Sequence, residues 1–413
     1  MTVQYCCSPI LKATILIMTV KRVLRSQQEQ VSEELLEPLE ELTSEKTGTG
    51  VEAEQLDDPA GQIIEPFDPE KIDVKTKPMV VDLIMARVRG GAKEIDLLPD
   101  FQRRAGIWDQ QRKSRLIESL LLRIPLPVFY VAANQDECWA VVDGLQRIQT
   151  LKEFIVDKSL KLIGMEFLTD LNDKGFDDLT RPMQRRINET EITVHIIQPG
   201  TPSDVMFNIF KRINTGGLPL SGQEIRHAIK QGLSTDLIKK LAESKEFKAA
   251  TGNSIKDERM ADRECVLRFC AFSIFSPDDY AGDIDKLLIN AMDEMNGWDA
   301  EEVRKLTLRF KSAMVAAEKI FGRLAFRKYT SSNERLSPIN KALFEAWAVN
   351  LANLKPRQIA VLVERKDILM TRFTKLMRSQ RFVESISLGT GSVAKVQKRF
   401  GLVNKLIQEV LSV

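Results

Sequence analysis

The amino-acid sequence predicts a compact α+β domain over about residues 72–230, then a mainly helical domain over 231–413, with an acidic tail over 1–70 in front. Three observations carry this reading. Runs that read as strands, the last of them Glu191–Ile197, all lie in the first half of the chain. After about residue 232 they give way to long amphipathic stretches punctuated by Ser276-Pro277, Ser337-Pro338 and Lys355-Pro356. Residues 1–70 lack sustained apolar periodicity apart from Leu35–Leu42 and are read as mostly disordered, because such a composition buries too little apolar surface to offset the cost of ordering.

Order begins near Phe67–Val74, and Met79–Arg89 reads as the first helix. Ile95–Leu98 reads as a short strand ended by Pro99. Asp109–Leu122 has Leu116, Ile117, Leu120 and Leu121 at helical spacing. Pro125 and Pro127 stop that helix, since proline cannot continue the hydrogen-bond ladder. Val128–Ala132 and Cys138–Val142 form a hairpin around Asn134-Gln135-Asp136. The returning strand runs straight into Asp143-Gly144-Leu145-Gln146-Arg147, after which Ile148–Ile155 is helical. Glu191–Ile197 is a further strand and Ser203–Ile213 a helix. Asn214-Thr215-Gly216-Gly217 breaks that helix, and Ser221 caps the next.

The apolar share of 43% and charged share of 29% are those of an ordinary globular protein, and 413 residues suffice for two domains. Five cysteines (Cys6, Cys7, Cys138, Cys265 and Cys270) stand in no CxxC array, which argues against a disulfide framework or a zinc site and for a reducing cytoplasm. Ile10–Val20 is the one candidate targeting stretch. Lys12 interrupts it, it falls short of the roughly 20 residues a membrane span needs, and Met18 is an alternative initiator. No membrane association is expected. The formal charge of +2 hides a split: residues 1–25 carry four basic side chains and no acidic ones, whereas 26–70 carry fourteen acidic side chains against Lys46 alone, so the body is strongly basic. A basic body suits an anionic partner such as DNA, with the acidic tail competing for the same surface; a tail that only keeps the protein in solution fits as well.

Three constellations can carry chemistry. Asp143-Gly144-Leu145-Gln146-Arg147 sits where a buried strand meets a helix. Glycine there permits a tight turn and close approach to a ligand, and a helix N-terminus favours phosphate. Arg147 can add a bidentate contact, Gln146 can orient a water, and Asp143 can hold Mg²⁺ or a ribose hydroxyl. The alternative is that Asp143 caps the helix and Arg147 pairs locally. The second constellation is Pro99-Asp100-Phe101-Gln102-Arg103-Arg104, followed by the helix bearing Ser114, Arg115 and Glu118; it could line a phosphate pocket or form a solvated basic turn. In the third, Arg212 and Asn214 precede the glycine pair, and Ser221 and Glu224 form a capping box that explains both of them structurally.

In order along the chain these read Pro-x-aromatic-Gln-Arg, Ser-Arg-Leu-Ile-Glu-Ser, Ile-Pro-x-Pro, Asp-Gly-x-Gln-Arg, Arg-Ile-Asn-x-Gly and Leu-Ser-x-x-Glu-Ile-Arg. The set resembles the N-terminal domain family of GmrSD-type restriction enzymes over about residues 80–275, through Arg259-Met260-Ala261-Asp262-Arg263-Glu264. The resemblance implies a small mixed-sheet core similar to the ParB and sulfiredoxin fold. It further implies binding and hydrolysis of GTP or another nucleoside triphosphate with Mg²⁺, linked to restriction of foreign or modified DNA with a partner nuclease subunit. By that resemblance Asp143, Gln146 and Arg147 are catalytic and Asp143 is the metal ligand, while Phe101, Gln102, Arg103, Arg115, Gly144, Arg212 and Asn214 contact the nucleotide. Two positions depart from the family pattern: Phe101 stands where tyrosine is usual, and Leu145 where glutamine is usual. Leu145 puts hydrolysis in doubt more than binding, which keeps a non-catalytic DNA-binding or protein-interaction module as the alternative. A ParB-like nuclease is a third reading. The two histidines, His195 and His227, cannot assemble a His-Asn-His nuclease, and no Walker A pattern is present. Asp257, Asp262 and Glu264 could hold a metal or pair with Arg259, Arg263 and Arg268.

Overall fold

The computed structural model describes residues 49–52, 54, 73–91, 94–97, 108–213, 220–328 and 336–413, and residues 49–413 form one compact unit. As predicted, the chain is α+β, with a small mixed sheet followed by helices. The strands are β1 Val74–Val80, β2 Ile95–Asp96, β3 Phe129–Ala133, β4 Trp139–Asp143 and β5 Glu191–Ile197. Their spatial order is β1-β5-β3-β4-β2. The β3–β4 hairpin and the β1–β5 pair are antiparallel, whereas β3–β5 and β2–β4 are parallel.

Strand β1 corrects the sequence reading, which began a helix at Met79. The helix starts at Val81 instead, and the preceding seven residues pair along β5. Pro78 and the exposed Lys75 and Lys77 belong on an edge strand, where a missing N–H is tolerated and lysines discourage further pairing.

One sheet face buries Phe129, Val131, Trp139, Val141, Ile192, Val194 and Ile196. It packs against α1 (Val81–Arg89), α2 (Gln110–Leu121) and α3 (Leu145–Leu151), the last continuing into a π-helical turn over Lys152–Val156. Helix α4 (Arg181–Asn188) closes this side by contacting α1 and α2. The opposite face presents Ala132, Val142 and Ile197 to α5 (Ser203–Ile213) and α6 (Gly222–Ile229) through Phe207, Phe210 and Ile225.

The remaining helices are α7 (Leu233–Ala242), α8 (Lys245–Ala250), α9 (Ala261–Ile274), α10 (Ile284–Asn296), α11 (Ala300–Phe321) and α12 (Lys341–Ala352). They continue as α13 (Pro356–Glu364), α14 (Lys366–Met377), α15 (Gln380–Ser387) and α16 (Val393–Leu411). Ile289 of α10 joins the cluster under α5 and α6, so these two helices mediate between the sheet and the later helices. Helices α9 and α12 are buried on nearly all sides and lie at the centre of the second core. Arg268 of α9 pairs with Glu264 and with Glu345 of α12, and Lys341 of α12 pairs with Glu264. Glu345, fully buried, accepts hydrogen bonds from Arg268 at 3.2 Å and from Arg399 Nε at 2.9 Å.

The sequence reading assigned residues 1–70 to the tail, yet Thr49–Glu52 and Glu54 are built into the helical region, with Val51 in its core. The rest of that stretch lies outside the described residues. Among the described residues no helix is long and apolar enough to cross a membrane.

Candidate functional site

The Asp-Gly-x-Gln-Arg motif occupies the junction between β4 and α3. Asp143 ends the strand and Gly144 turns the chain with φ at +97°, in the left-handed region. A Cβ on Gly144 would lie 2.4 Å from Phe129 Cδ1 and 3.1 Å from Arg147 Nη2. Glycine is therefore required here both for the backbone and for space.

Arg147, one turn on, folds back beneath the junction. Its Nη2 donates to Asp143 Oδ2 at 2.8 Å and to the Val128 carbonyl at 3.1 Å, and its Nη1 donates to the Pro127 carbonyl. The guanidinium also stacks 4.3 Å from the centre of the Phe129 ring. Only 7% of the residue is exposed. Burial pulls its pKa down, partly offset by Asp143. The residue ties the Ile-Pro-x-Pro segment to the end of β4, so two of the sequence motifs meet at one side chain. This is the local pairing that the sequence reading kept as an alternative.

Asp143 keeps 33% of its side chain exposed while one oxygen is held by Arg147. Gln146, half-buried, accepts the Trp108 N–H on Oε1 at 3.2 Å. Trp108 directly follows the stretch with Phe101, Gln102 and Arg103, which lies outside the described residues. Across the sheet, the strand register pairs Asp143 with Tyr130, Tyr130 with His195, and His195 with Thr76. His195 Nδ1 is 2.8 Å from Thr76 Oγ1, and its ring centre is 4.8 Å from that of Tyr130. Sequence reasoning had placed His195 in a strand but missed this polar row, because register between distant strands leaves no local signal.

Arg115 pairs with Glu166 at 2.6 Å, both about half exposed, and not with any residue of the junction. Its helix neighbours in the Ser-Arg-Leu-Ile-Glu-Ser motif are structural. Ser114 accepts the Ile163 N–H at 2.9 Å. Glu118 accepts the N–H groups of Glu166, Phe167 and Leu168 at 3.1, 2.8 and 2.8 Å. Desolvation pushes the Glu118 pKa up, but those three N–H groups and Arg115 outweigh it and hold the carboxyl below its ordinary range.

Arg212 is exposed in the last turn of α5, and Asn214 lies outside the described residues. Ser221 and Glu224 form the expected capping box, and Glu224 also accepts from Arg259 Nε at 3.1 Å. Arg226, 1% exposed, joins α6 to α10 through Asp285 at 2.6 Å and binds Gln223 at 3.0 Å. That buried link had no sequence signal beyond the motif that contains it. Further on, Glu264 pairs with Arg268 at 3.2 Å and Asp262 accepts the Arg263 N–H at 2.8 Å. Among the described residues no group of three or more His, Cys, Asp or Glu could hold a metal by itself. Residues 86–230 match the model of the family described as GmrSD restriction endonuclease, N-terminal domain. No curated protein and no solved structure matches the chain.

Proposed function

From the GmrSD restriction endonuclease N-terminal domain that residues 86–230 match, we propose that this chain is the nucleotide-binding component of a DNA restriction or anti-phage defence system. It binds and hydrolyses GTP or another nucleoside triphosphate, acts on foreign or modified DNA through its basic body, and works with a partner nuclease subunit. The observation that carries this reading is the β4–α3 junction, where Arg147 and Gly144 leave a part-exposed Asp143 carboxylate three residues before Gln146.

The roles divide by exposure. Arg147 is a positioning residue, its donors already committed to Asp143 and to two carbonyls. Asp143 faces the ligand. A Mg²⁺ arriving with a triphosphate takes only one or two protein carboxylates, with phosphate and water oxygens completing its shell, so Asp143 alone fits as the protein ligand. The ion supplies charge neutralisation on the phosphates. Gln146, whose Oε1 accepts the Trp108 N–H, orients a water.

A second reading has its own observation. Leu145, where the resembled family carries glutamine, packs against the core on the sheet's first face, so this position offers no amide to the reaction. The domain would then bind nucleotide and not turn it over. Phosphate release from GTP and ATP, with and without DNA, separates the two. Turnover by the wild type supports hydrolysis. Binding without release, with turnover appearing in Leu145→Gln, supports the second reading, and no release from either protein in the absence of binding removes both.

A further inference from the structure

Thr49–Glu52 and Glu54 lie in a groove of the helical region, where Val51 forms an isolated parallel bridge with Ile339. The Glu52 N–H donates to the Ile339 carbonyl at 2.8 Å, and the Ile339 N–H donates back to the Gly50 carbonyl at 3.0 Å. The Lys256 N–H donates to the Thr49 carbonyl at 2.8 Å. Val51 is 4% exposed and belongs to the core. Gly50 has φ at +75°, and a Cβ there would sit 1.9 Å from the Ser254 carbonyl oxygen. Three backbone hydrogen bonds and this close approach hold the segment's main chain.

The two carboxylates are read separately. Glu52 takes Lys328 at 2.6 Å and Asn340 Nδ2 at 2.9 Å. Glu54 takes Arg268 at 2.5 Å, Lys341 at 3.6 Å and Thr390 Oγ1 at 2.8 Å. Glu52 and Glu54 thus each meet basic side chains of the helical region, while Val51 packs into its core. The groove's own charges do not balance without this segment. Among the described residues, Arg268, Lys341 and Arg399 pair inside the helical region with Glu264 and Glu345, and Glu54 is the third acid of the network. A buried cation left without its counter-ion is strongly unfavourable, so the site demands an acidic occupant.

We propose that this groove is a binding site for an acidic peptide of the pattern Gly-Val-Glu-x-Glu, and that the chain's own Gly50–Glu52 and Glu54 are its resident ligand. A partner offering the same pattern competes with the resident segment for Lys328, Arg268 and Lys341.

The test titrates a fluorescent peptide of residues 47–57 into the full chain, monitored by anisotropy. Glu52→Gln/Glu54→Gln weakens the resident segment, so this variant binds the peptide at least about tenfold more tightly than the wild type, and added salt weakens the binding. A peptide with glutamine at both positions binds neither protein. Equal affinity for the two proteins, or no binding by a variant that keeps the wild-type circular dichroism, overturns the proposal. If the double variant does not fold, charge reversal at the rim decides. Glu52→Lys and Lys328→Glu each lower the melting temperature and together restore it; additive losses overturn the proposal.

Discussion

Arg147 connects three carbonyl or carboxylate oxygens and one aromatic ring, so its removal exposes how the junction is held. Arg147→Ala leaves the Pro127 and Val128 carbonyls and Asp143 without their donor. The expected loss is about 2–3 kcal/mol, discounted because Asp143 is a third exposed. Arg147→Lys recovers little of it, since one ammonium cannot reproduce the planar fork. Chemical denaturation measures both, and an Arg147→Ala protein as stable as the wild type contradicts the positioning role. At Gly144 the left-handed φ and the Phe129 contact act together; Gly144→Ala is expected to destabilise by at least about 1–2 kcal/mol. The motif's identity was legible in the sequence, as was the need for glycine at the turn. The direction in which Arg147 points was not, because it depends on the Pro127 and Val128 carbonyls that a different segment presents.

Helix α2 grips the loop that follows the π-helical turn through Ser114 and Glu118, and the grip is pH-dependent. The Glu118 carboxyl titrates lower in the folded protein than in the unfolded chain. The unfolded state therefore binds the extra proton first. The stabilisation is complete above the ordinary value of 4.5 and is lost as the pH falls from there through the folded pKa. Glu118→Gln should be less stable than the wild type at pH 7, with the difference shrinking below pH 4.5. A stability difference that does not change between pH 7 and about pH 3 contradicts this. Elements with strong local patterns were read within a residue or two: α2, β3, β4, β5 and α5 all stand where their periodicity put them. Strand β1 was missed because an edge strand with alternating lysines and a proline has no buried face to betray it. The start of α3 was read late, at Ile148 and not Leu145, because its cap is a left-handed glycine with no side chain to signal the turn.

Within residues 49–413 the small sheet is joined to a large helical core through α5 and α6. The burial of that core has a chemical consequence. Cys265 and Cys270 of α9 are fully buried, and burial pushes both thiols up to about 12. Both should resist alkylation at pH 8 in the native protein and react on denaturation, whereas Cys138, half-buried beside β4, should label sooner. Mass spectrometry after a short iodoacetamide pulse checks the order, and early labelling of Cys265 contradicts the packing. The order of motifs along the chain made the nucleotide-binding expectation legible. The docking of Thr49–Glu52 and Glu54 was not, because an acidic stretch in sequence says nothing of a basic groove more than 200 residues away.

The central claim is that the β4–α3 junction binds a nucleoside triphosphate through Asp143, and calorimetry tests it most directly. Titration of the wild-type chain with GTP and with ATP, each with Mg²⁺, should give saturable binding of at least one of them. The near-isosteric Asp143→Asn can still accept from Arg147 and should retain its melting temperature, yet bind at least about tenfold more weakly, a loss of about 1.4 kcal/mol. A wild-type chain that binds no nucleoside triphosphate, or a folded Asp143→Asn with undiminished affinity, would contradict the account.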